Sequence, residues 1–371
     1  MRDTARDRMI AEAPLAVVAA TAALCWIFGD DWLQAGTPAW TLFVTAWLFG
    51  VILLAALATV RHAEVLATRL GEPFGTLILT LSVTTIEVLM VSAVMLTGAD
   101  QPELARDTMY SVVMIVLNGL VGLSLLLGGL RHHEQEYNLQ GANAFLALIL
   151  PLAVLTLILP RYTRATPGPI LSSTQELFLM AVALGLYAVF LAVQTVRHRS
   201  YFTASAAGSE ESEHASEHGA STLPTAAHGL LLLAYLVPVV LLSEELGIPL
   251  ERSVEALEAP QALTGMLVAL LILAPEGVAA LRASLANQLQ RAVNVALGSA
   301  AATIGLTVPA VLAVSLWTGK PVVLGLDDDE TVMLALTLLV SVVTFSSGRT
   351  NVLQGAVHVV LFLAYVLLVF D

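Results

Sequence analysis

Residues 71–96 read GEPFGTLILTLSVTTIEVLMVSAVML, and this stretch decides the fold class. Between Phe74 and Leu96 only Glu87 is charged. An apolar run of about 20 residues can cross the ~30 Å hydrocarbon core of a bilayer as a helix. A transmembrane β-strand would alternate apolar and polar residues over about ten positions, and this stretch does not. It therefore predicts a membrane-spanning helix with an acid near its middle.

The rest of the chain has the same character. The 371 residues are 57% hydrophobic and 12% charged, whereas soluble domains carry about 25% charged residues. Apolar runs account for the deficit, near 12–29, 38–60, 73–97, 108–130, 142–160, 174–196, 227–246, 261–281, 292–317, 330–347 and 351–370. The sequence predicts an all-α integral membrane protein with about eleven transmembrane helices.

Cations between the runs predict the orientation, because Lys and Arg are enriched in cytoplasmic loops. With the N-terminus in the cytoplasm, eleven of the sixteen Lys and Arg residues fall on the cytoplasmic side and five on the outer side, where Arg161 and Arg164 are a local exception. The N-terminal run lacks a clear cleavage site for a signal peptide. Together with the short loops, this favours a bacterial inner membrane.

Several classes of function are disfavoured by composition. The net charge of −13 makes nucleic acid an improbable partner. Cys25 is the only cysteine, so the chain has no internal disulfide and no cysteine metal cluster. The sequence has no His-Glu-x-x-His zinc motif and no convincing nucleophile constellation, so we expect neither an enzyme nor a cofactor. The lipid membrane is the expected partner.

One long polar interruption divides the chain. Residues 198–225 include SEESEHASEH at 209–218, which predicts an acidic cytoplasmic linker. Its Glu and His side chains suit a weak divalent-cation site, but a disordered linker is the favoured interpretation. The predicted divisions are 1–34 with the first helix, 35–197 with helices two to six, the linker at 198–225, and 226–371 with helices seven to eleven.

Two acids lie inside predicted helices without a basic neighbour. Glu87 lies in the third helix, and Glu276 lies in the eighth, in GMLVALLILAPEG at 265–277. A charge at mid-membrane costs roughly 3 kcal/mol and is by default a functional candidate. No Lys or Arg lies in the centre of any predicted span. The pair therefore suits an ion site whose charge is neutralised by a metal ion or by protons.

The surroundings of the two acids supply oxygen atoms. Thr76, Thr80 and Thr84 recur every four residues and form a polar stripe leading to Glu87, with Ser82 close by. In the eighth helix Pro275 has no amide hydrogen, and Gly277 tolerates unusual backbone angles. We expect the eighth helix to be broken at Glu276, with freed carbonyls available to an ion.

Each acid-bearing helix is followed by one rich in small residues, with Asn118 in the fourth helix and Ser299 and Thr303 in the ninth. In the predicted topology the third helix runs outward and the eighth runs inward. Helices two to six and seven to eleven then form an inverted repeat of two five-helix halves, with the first helix extra. Such repeats place binding elements near the midplane and permit alternating access.

At these residues the sequence resembles the calcium/proton exchangers of the cation/calcium exchanger superfamily, particularly the bacterial branch of sodium(calcium)/proton antiporters. Residues 75–96 resemble the first alpha-repeat of that family, and 274–276 with 286–299 resemble the second; 128–138 and 348–355 support the match. The resemblance covers most of 60–370. The Gly-Asn-Ala-x-Glu form common in eukaryotic members is absent, which bears on ion selectivity.

The resemblance implies that Glu87 and Glu276 are the essential, metal-binding acids. Asn118, Ser299 and Thr303 are then the matching polar neighbours. The function we expect is secondary active antiport, with Ca²⁺ exported in exchange for H⁺ at this two-glutamate site. Thr84 and Ser82 are further candidate ligands.

Other functions stay open at this point. They are Na⁺(K⁺)/H⁺ or Na⁺-coupled exchange on the same scaffold, a passive cation channel, and an intramembrane enzyme. His358, inside the last predicted helix, is either a proton relay or a hydrogen-bonded structural residue, and the structural role is favoured.

Overall fold

The computed structural model of the protein describes residues 12–33, 36–71, 74–97, 102–166, 168–203 and 223–370. Over these ranges the chain is almost entirely helical, with one pair of two-residue strands, β1 (Gln135–Glu136) and β2 (Arg349–Thr350). The predicted 198–225 linker falls mainly outside the described residues.

Within the described ranges, eleven long helices lie at the positions of the predicted apolar runs. They are α1 (Ala13–Leu33), α2 (Pro38–Leu70), α3 (Phe74–Thr97), α4 (Leu104–His132), α5 (Leu139–Tyr162), α6 (Ser173–Arg197), α7 (Thr225–Ala256), α8 (Ala262–Leu285), α9 (Leu289–Thr318), α10 (Asp328–Thr344) and α11 (Val352–Val369).

Eight of these helices are long and apolar enough to cross a membrane over their described residues. The other three helices are shorter by this measure. The apolar stretches of α1 and α3 are Ala13–Gly29 and Leu81–Ser92, and α10 has only 17 residues. The prediction of an all-α integral membrane protein is confirmed. The largest differences in length are at the ends of α2 and α7, which continue to Leu70 and Ala256, because polar ends of helices are not visible as apolar runs.

Helix starts are fixed by side chains that accept hydrogen bonds from the otherwise unpaired first amides. Ser172 with Gln175, Asn351 with Gln354, and Asp327 with Glu330 form reciprocal capping boxes before α6, α11 and α10. Asp327 also pairs with Arg161 at 3.0 Å. Asp327 and Glu330 therefore have a structural role, because they cap the first turn of α10.

In the described part of the chain, four helices contain a turn of π-helix, where hydrogen bonds join residues five apart. These turns are Ile115–Leu120 in α4, Val154–Ile158 in α5, Val193–Arg197 in α6 and Thr303–Thr307 in α9. π-helical turns are rare and occur frequently at functional sites. Two of the four contain predicted site residues, Asn118 and Thr303.

The helices form two compact units. The first contains α1, α2, α3 and α7, and the second contains α4 to α6, α8 from Gly265 onward, and α9 to α11. In the first unit α7 packs along α2, and α3 contacts both. Each unit thus contains helices from both predicted halves. The boundaries of the predicted repeat, 35–197 and 226–371, stay a prediction.

Glycines let helices of the second unit approach α4 closely. A Cβ added to Gly265 would lie 2.9 Å from the Asp107 carbonyl carbon, and one added to Gly277 would lie 3.0 Å from Leu120. The later residue of α8, Gly277, contacts the later residue of α4, Leu120. Helix α8 therefore runs parallel to α4. This agrees with the predicted topology, in which the fourth and eighth helices cross in the same direction.

Connections of the second unit collect in two groups. Strand β1 follows α4 and pairs antiparallel with β2, which precedes α11; Gln290 at the start of α9 accepts a hydrogen bond from the Asn138 amide in the same region. At the opposite helix ends, Ile170 and Val323 form an isolated bridge. These groups are the loops that the predicted topology places on the cytoplasmic and outer sides, respectively.

Candidate ion-binding site

Helix α3 places Glu87 among buried side chains of the first unit. Glu87 is 3% exposed, and Thr84, one turn earlier, is 5% exposed. The Thr84 hydroxyl has no hydrogen-bond partner among the described residues. Residues three apart share a helix face, so this hydroxyl lies on the side of α3 that carries Glu87.

The other α3 hydroxyls predicted to lie near Glu87 or on the polar stripe are those of Ser82, Thr76 and Thr80. The Ser82 side chain is buried, and its hydroxyl donates to the Ile78 carbonyl at 2.7 Å. Ser82 precedes Glu87 by five positions, which on an α-helix turns it well away from the Glu87 face. The side chains of Thr76 and Thr80 lie outside the described residues, so the predicted stripe is documented only at Thr84.

Helix α8 carries Glu276, which is 9% exposed. The prediction of a broken helix at this point is wrong, because α8 is continuous from Ala262 to Leu285 with Pro275 inside it. Close packing of Gly277 on Leu120 of α4 supports the backbone through this turn. Pro275 has no amide hydrogen, so the Leu271 carbonyl cannot form its usual bond one turn onward. The helix keeps its path but releases one carbonyl oxygen.

Asn118 lies in the π-helical turn of α4 and is completely buried. Its amide nitrogen donates to the Thr337 hydroxyl at 2.9 Å, and its oxygen lies 3.2 Å from Nδ1 of His358. The predicted polar residue is therefore held from both ends of its amide, by α10 and by α11. Its role as an ion ligand stays a prediction.

The polar residues of α9 follow one face of that helix. Thr303 is completely buried, and its hydroxyl donates to the Ser299 carbonyl at 3.1 Å. A hydroxyl oxygen that donates its hydrogen keeps its lone pairs, so this bond leaves Thr303 able to contact an ion. Ser299 is half-buried. One turn beyond Thr303, the buried Thr307 hydroxyl has no partner in the described part of the chain.

The sequence reasoning missed Thr307 and a set of hydroxyl residues on α10. Thr337, Ser341 and Thr344 are all buried. Their spacing of four and then three puts them on one face of α10. The same periodicity drew attention to the threonines of α3, and it was available in the sequence for α10 as well.

Over the described residues, no group of three or more His, Cys, Asp and Glu side chains is arranged to hold a metal ion. Calcium takes six to eight oxygen ligands, and these include carbonyls, amides and waters as well as carboxylates. Neutral oxygens of this kind are present on α3 in the first unit, and on α4, α8 and α9 in the second.

The family model described as sodium/calcium exchanger protein matches residues 40–196 and 228–370. The chain belongs to this family. The resemblance noted at the two glutamate regions is thus confirmed, and the protein is a membrane transporter, not an enzyme.

Two curated relatives and one solved structure show how far the similarity extends. The putative ionic transporter y4hA of Sinorhizobium fredii is 45% identical over 323 residues, covering 86% of each chain. The sodium-potassium/proton antiporter ChaA of Escherichia coli is 43% identical over 319 residues, again covering 86% of each. The structure of native YfkE has a TM-score of 0.72 at 20% identity, covering 96% of this chain and 99% of that one. This last similarity concerns the fold.

Proposed function

We propose that this protein is a cation/proton antiporter in which Glu87 and Glu276 carry the transported ions. The observation that carries the proposal is the burial of one glutamate in each of two helices, α3 and α8, of an exchanger family member. The name of the 43% identical relative, a sodium-potassium/proton antiporter, supports protons as the counter-ion.

Exchange follows from competition for the carboxylates. A buried carboxylate is costly unless its charge is neutralised, and either a proton or a metal cation neutralises it. Loading with protons and loading with a cation then exclude one another. Alternating access carries each loaded form across the membrane. With more protons outside than inside, proton entry drives the cation outward.

Ca²⁺ is our first candidate for the cation, because two carboxylates match its charge and its preference for oxygen. Thr84, Asn118, Ser299, Thr303 and the backbone near Pro275 are the proposed neutral ligands. One observation favours Na⁺ or K⁺ as a second candidate. No side-chain amide directly precedes Glu87 or Glu276, where Val83-Thr84-Thr85-Ile86 and Ile272-Leu273-Ala274-Pro275 stand, and the relative named above exchanges monovalent cations by its name.

We place the protein in a bacterial inner membrane with a cytoplasmic N-terminus, on the distribution of Lys and Arg. In this orientation the acidic linker at 198–225 is cytoplasmic. The orientation also gives α3 and α8 opposite directions, as an inverted repeat requires.

The test is proton movement in everted membrane vesicles that are acidic inside. Addition of Ca²⁺, Na⁺ or K⁺ should dissipate the pH gradient in wild-type vesicles, and the order of responses ranks the cations. We expect Glu87→Gln and Glu276→Gln each to reduce exchange by more than about 100-fold, because Gln cannot carry the ion's counter-charge. Both variants should still insert into the membrane.

Glu176→Gln is the matched control. Glu176 is a buried glutamate of α6, 6% exposed, and it has no place in the proposed site; its variant should exchange at the wild-type rate. Retained exchange in both the Glu87 and the Glu276 variants would contradict the proposal. Cation flux that moves no protons would identify a channel instead.

A further inference from the structure

A continuous series of buried hydrogen bonds joins α10, α11 and α4 of the second unit. The Thr344 hydroxyl lies 2.9 Å from Nε2 of His358, and Nδ1 of His358 lies 3.2 Å from the Asn118 oxygen. The Asn118 nitrogen then donates to Thr337 at 2.9 Å. His358, Asn118 and Thr337 are 0% exposed, and Thr344 is 2% exposed.

The direction of donation is determined by the chemistry of the four groups. Thr337 receives a hydrogen from the Asn118 nitrogen, so the other end of the amide is the carbonyl oxygen, which accepts only. His358 must therefore present a hydrogen on Nδ1. In the neutral ring Nε2 is then an acceptor, and the Thr344 hydroxyl donates to it. Every polar atom that contacts His358 in this series is neutral.

Backbone packing fixes the position of His358. A Cβ added to Gly122 of α4 would lie 2.9 Å from the Val359 nitrogen and 3.0 Å from the His358 Cβ. A Cβ added to Gly355 of α11 would approach the backbone of Leu126 even more closely. The two helices touch backbone to backbone on both sides of His358, which places its ring against α4, where the backbone of Leu117 offers a further hydrogen bond beside Asn118.

We infer that His358 is a positioning residue for transport, which holds the Asn118 carbonyl oxygen in a fixed direction through Nδ1–H. This inference rests on the proposed function, in which Asn118 supplies a neutral oxygen to the cation. A carbonyl oxygen has two lone pairs. His358 occupies one, and the other stays available to the ion. Without the Nδ1 donor only Thr337 holds the amide, and its hydroxyl can donate as well as accept. The amide can then turn its nitrogen, which repels a cation, toward the site.

Two substitutions of His358 separate a positioning role from simple space filling. The amide nitrogen of Asn reaches the place of Nδ1, whereas that of Gln reaches the place of Nε2. We expect His358→Gln to raise the apparent KM for the cation about five-fold, the effect of losing one hydrogen bond, with the maximal rate changed less than two-fold. His358→Asn should stay within about two-fold of the wild-type KM. Equal effects of Asn and Gln would overturn the inference.

A double-mutant cycle tests whether His358 acts through Asn118. In an Asn118→Ala background, His358→Gln should produce no further rise in KM, because the oxygen that it orients is absent. Independent, multiplicative effects of the two substitutions would overturn the inference. If His358→Gln does not fold, Thr337→Val removes the partner at the other end of the amide and should give a similar rise in KM.

The same vesicles distinguish failure of this inference from failure of the proposed function. An unchanged KM in Asn118→Ala would remove Asn118 as a ligand and overturn the inference. The antiport proposal would stand in that case, provided that wild-type exchange and its loss in Glu87→Gln persist. Absence of wild-type exchange would overturn both.

Discussion

The two helices that carry the buried glutamates, α3 and α8, offer different kinds of neutral oxygen beside similar acids. On α3 the oxygen nearest in sequence on the Glu87 face is a side-chain hydroxyl, that of Thr84. On α8 no hydroxyl lies within one turn before Glu276; Pro275 instead releases the backbone carbonyl of Leu271.

This difference has a consequence for selectivity. A hydroxyl rotates about a single bond and adapts to ions of several sizes, whereas a helix carbonyl is held by its neighbours. We infer that α8 sets the stricter part of ion recognition and α3 the more adaptable part. Substitutions that withdraw one kind of oxygen at a time test this comparison directly.

Among substitutions that affect the neutral oxygens, the largest effect is expected for Pro275→Ala. Alanine restores an amide hydrogen, which pairs with the Leu271 carbonyl and withdraws that oxygen from the ion. We expect the apparent KM to rise about ten-fold, equivalent to about 1.4 kcal/mol. The variant should also be more resistant to thermal unfolding, because proline in a helix interior costs about 3 kcal/mol.

Pro238→Ala is the control for this substitution. Pro238 is also inside a helix, α7, which has no predicted site residue. It should gain stability without a change in KM. Equal KM values for Pro275→Ala and the wild type would mean that the released carbonyl plays no part in binding.

A smaller effect is expected for Thr84→Val, which keeps the shape of the side chain and removes its oxygen. The apparent KM should rise about five-fold, and the selectivity between Ca²⁺ and Na⁺ should change little. Thr84→Ser, which keeps the hydroxyl, should restore the wild-type value. Thr59→Val in α2 is the control, since the buried Thr59 hydroxyl bonds to the Ala55 carbonyl of its own helix. A rise in KM as large as the ten-fold rise expected for Pro275→Ala would remove the distinction between α3 and α8.

The sequence predicted where α3 and α8 lie, because the length of an apolar run is a direct requirement of the bilayer. It did not predict the path of the backbone. Pro275 and Gly277 indicated a break, but α8 stays continuous through close packing on Leu120. The sequence pattern did not indicate the π-helical turn at Asn118 either.

For the candidate site, residues were predictable but partners were not. Glu87, Glu276 and Asn118 are conspicuous because polar groups inside apolar runs are costly. The pairing of Asn118 with His358 joins positions 240 residues apart, and it depends on glycines at Gly122 and Gly355 that let two backbones meet. The sequence shows where these glycines are, but it does not show which backbone segments they contact.

The smallest effect is expected for Ser82→Ala, which tests how far the polar face of α3 extends. Ser82 was a predicted ligand. It precedes Glu87 by five positions, which places it on a different face of α3, and its hydroxyl donates to the Ile78 carbonyl. Alanine removes only that local bond, so the apparent KM should change less than about two-fold. A five-fold rise, as expected for Thr84→Val, would show that α3 presents oxygens on a wider face than Thr84 and Glu87 define. The adaptable half of the site would then contain two hydroxyls, and the contrast with the single carbonyl of α8 would be sharper.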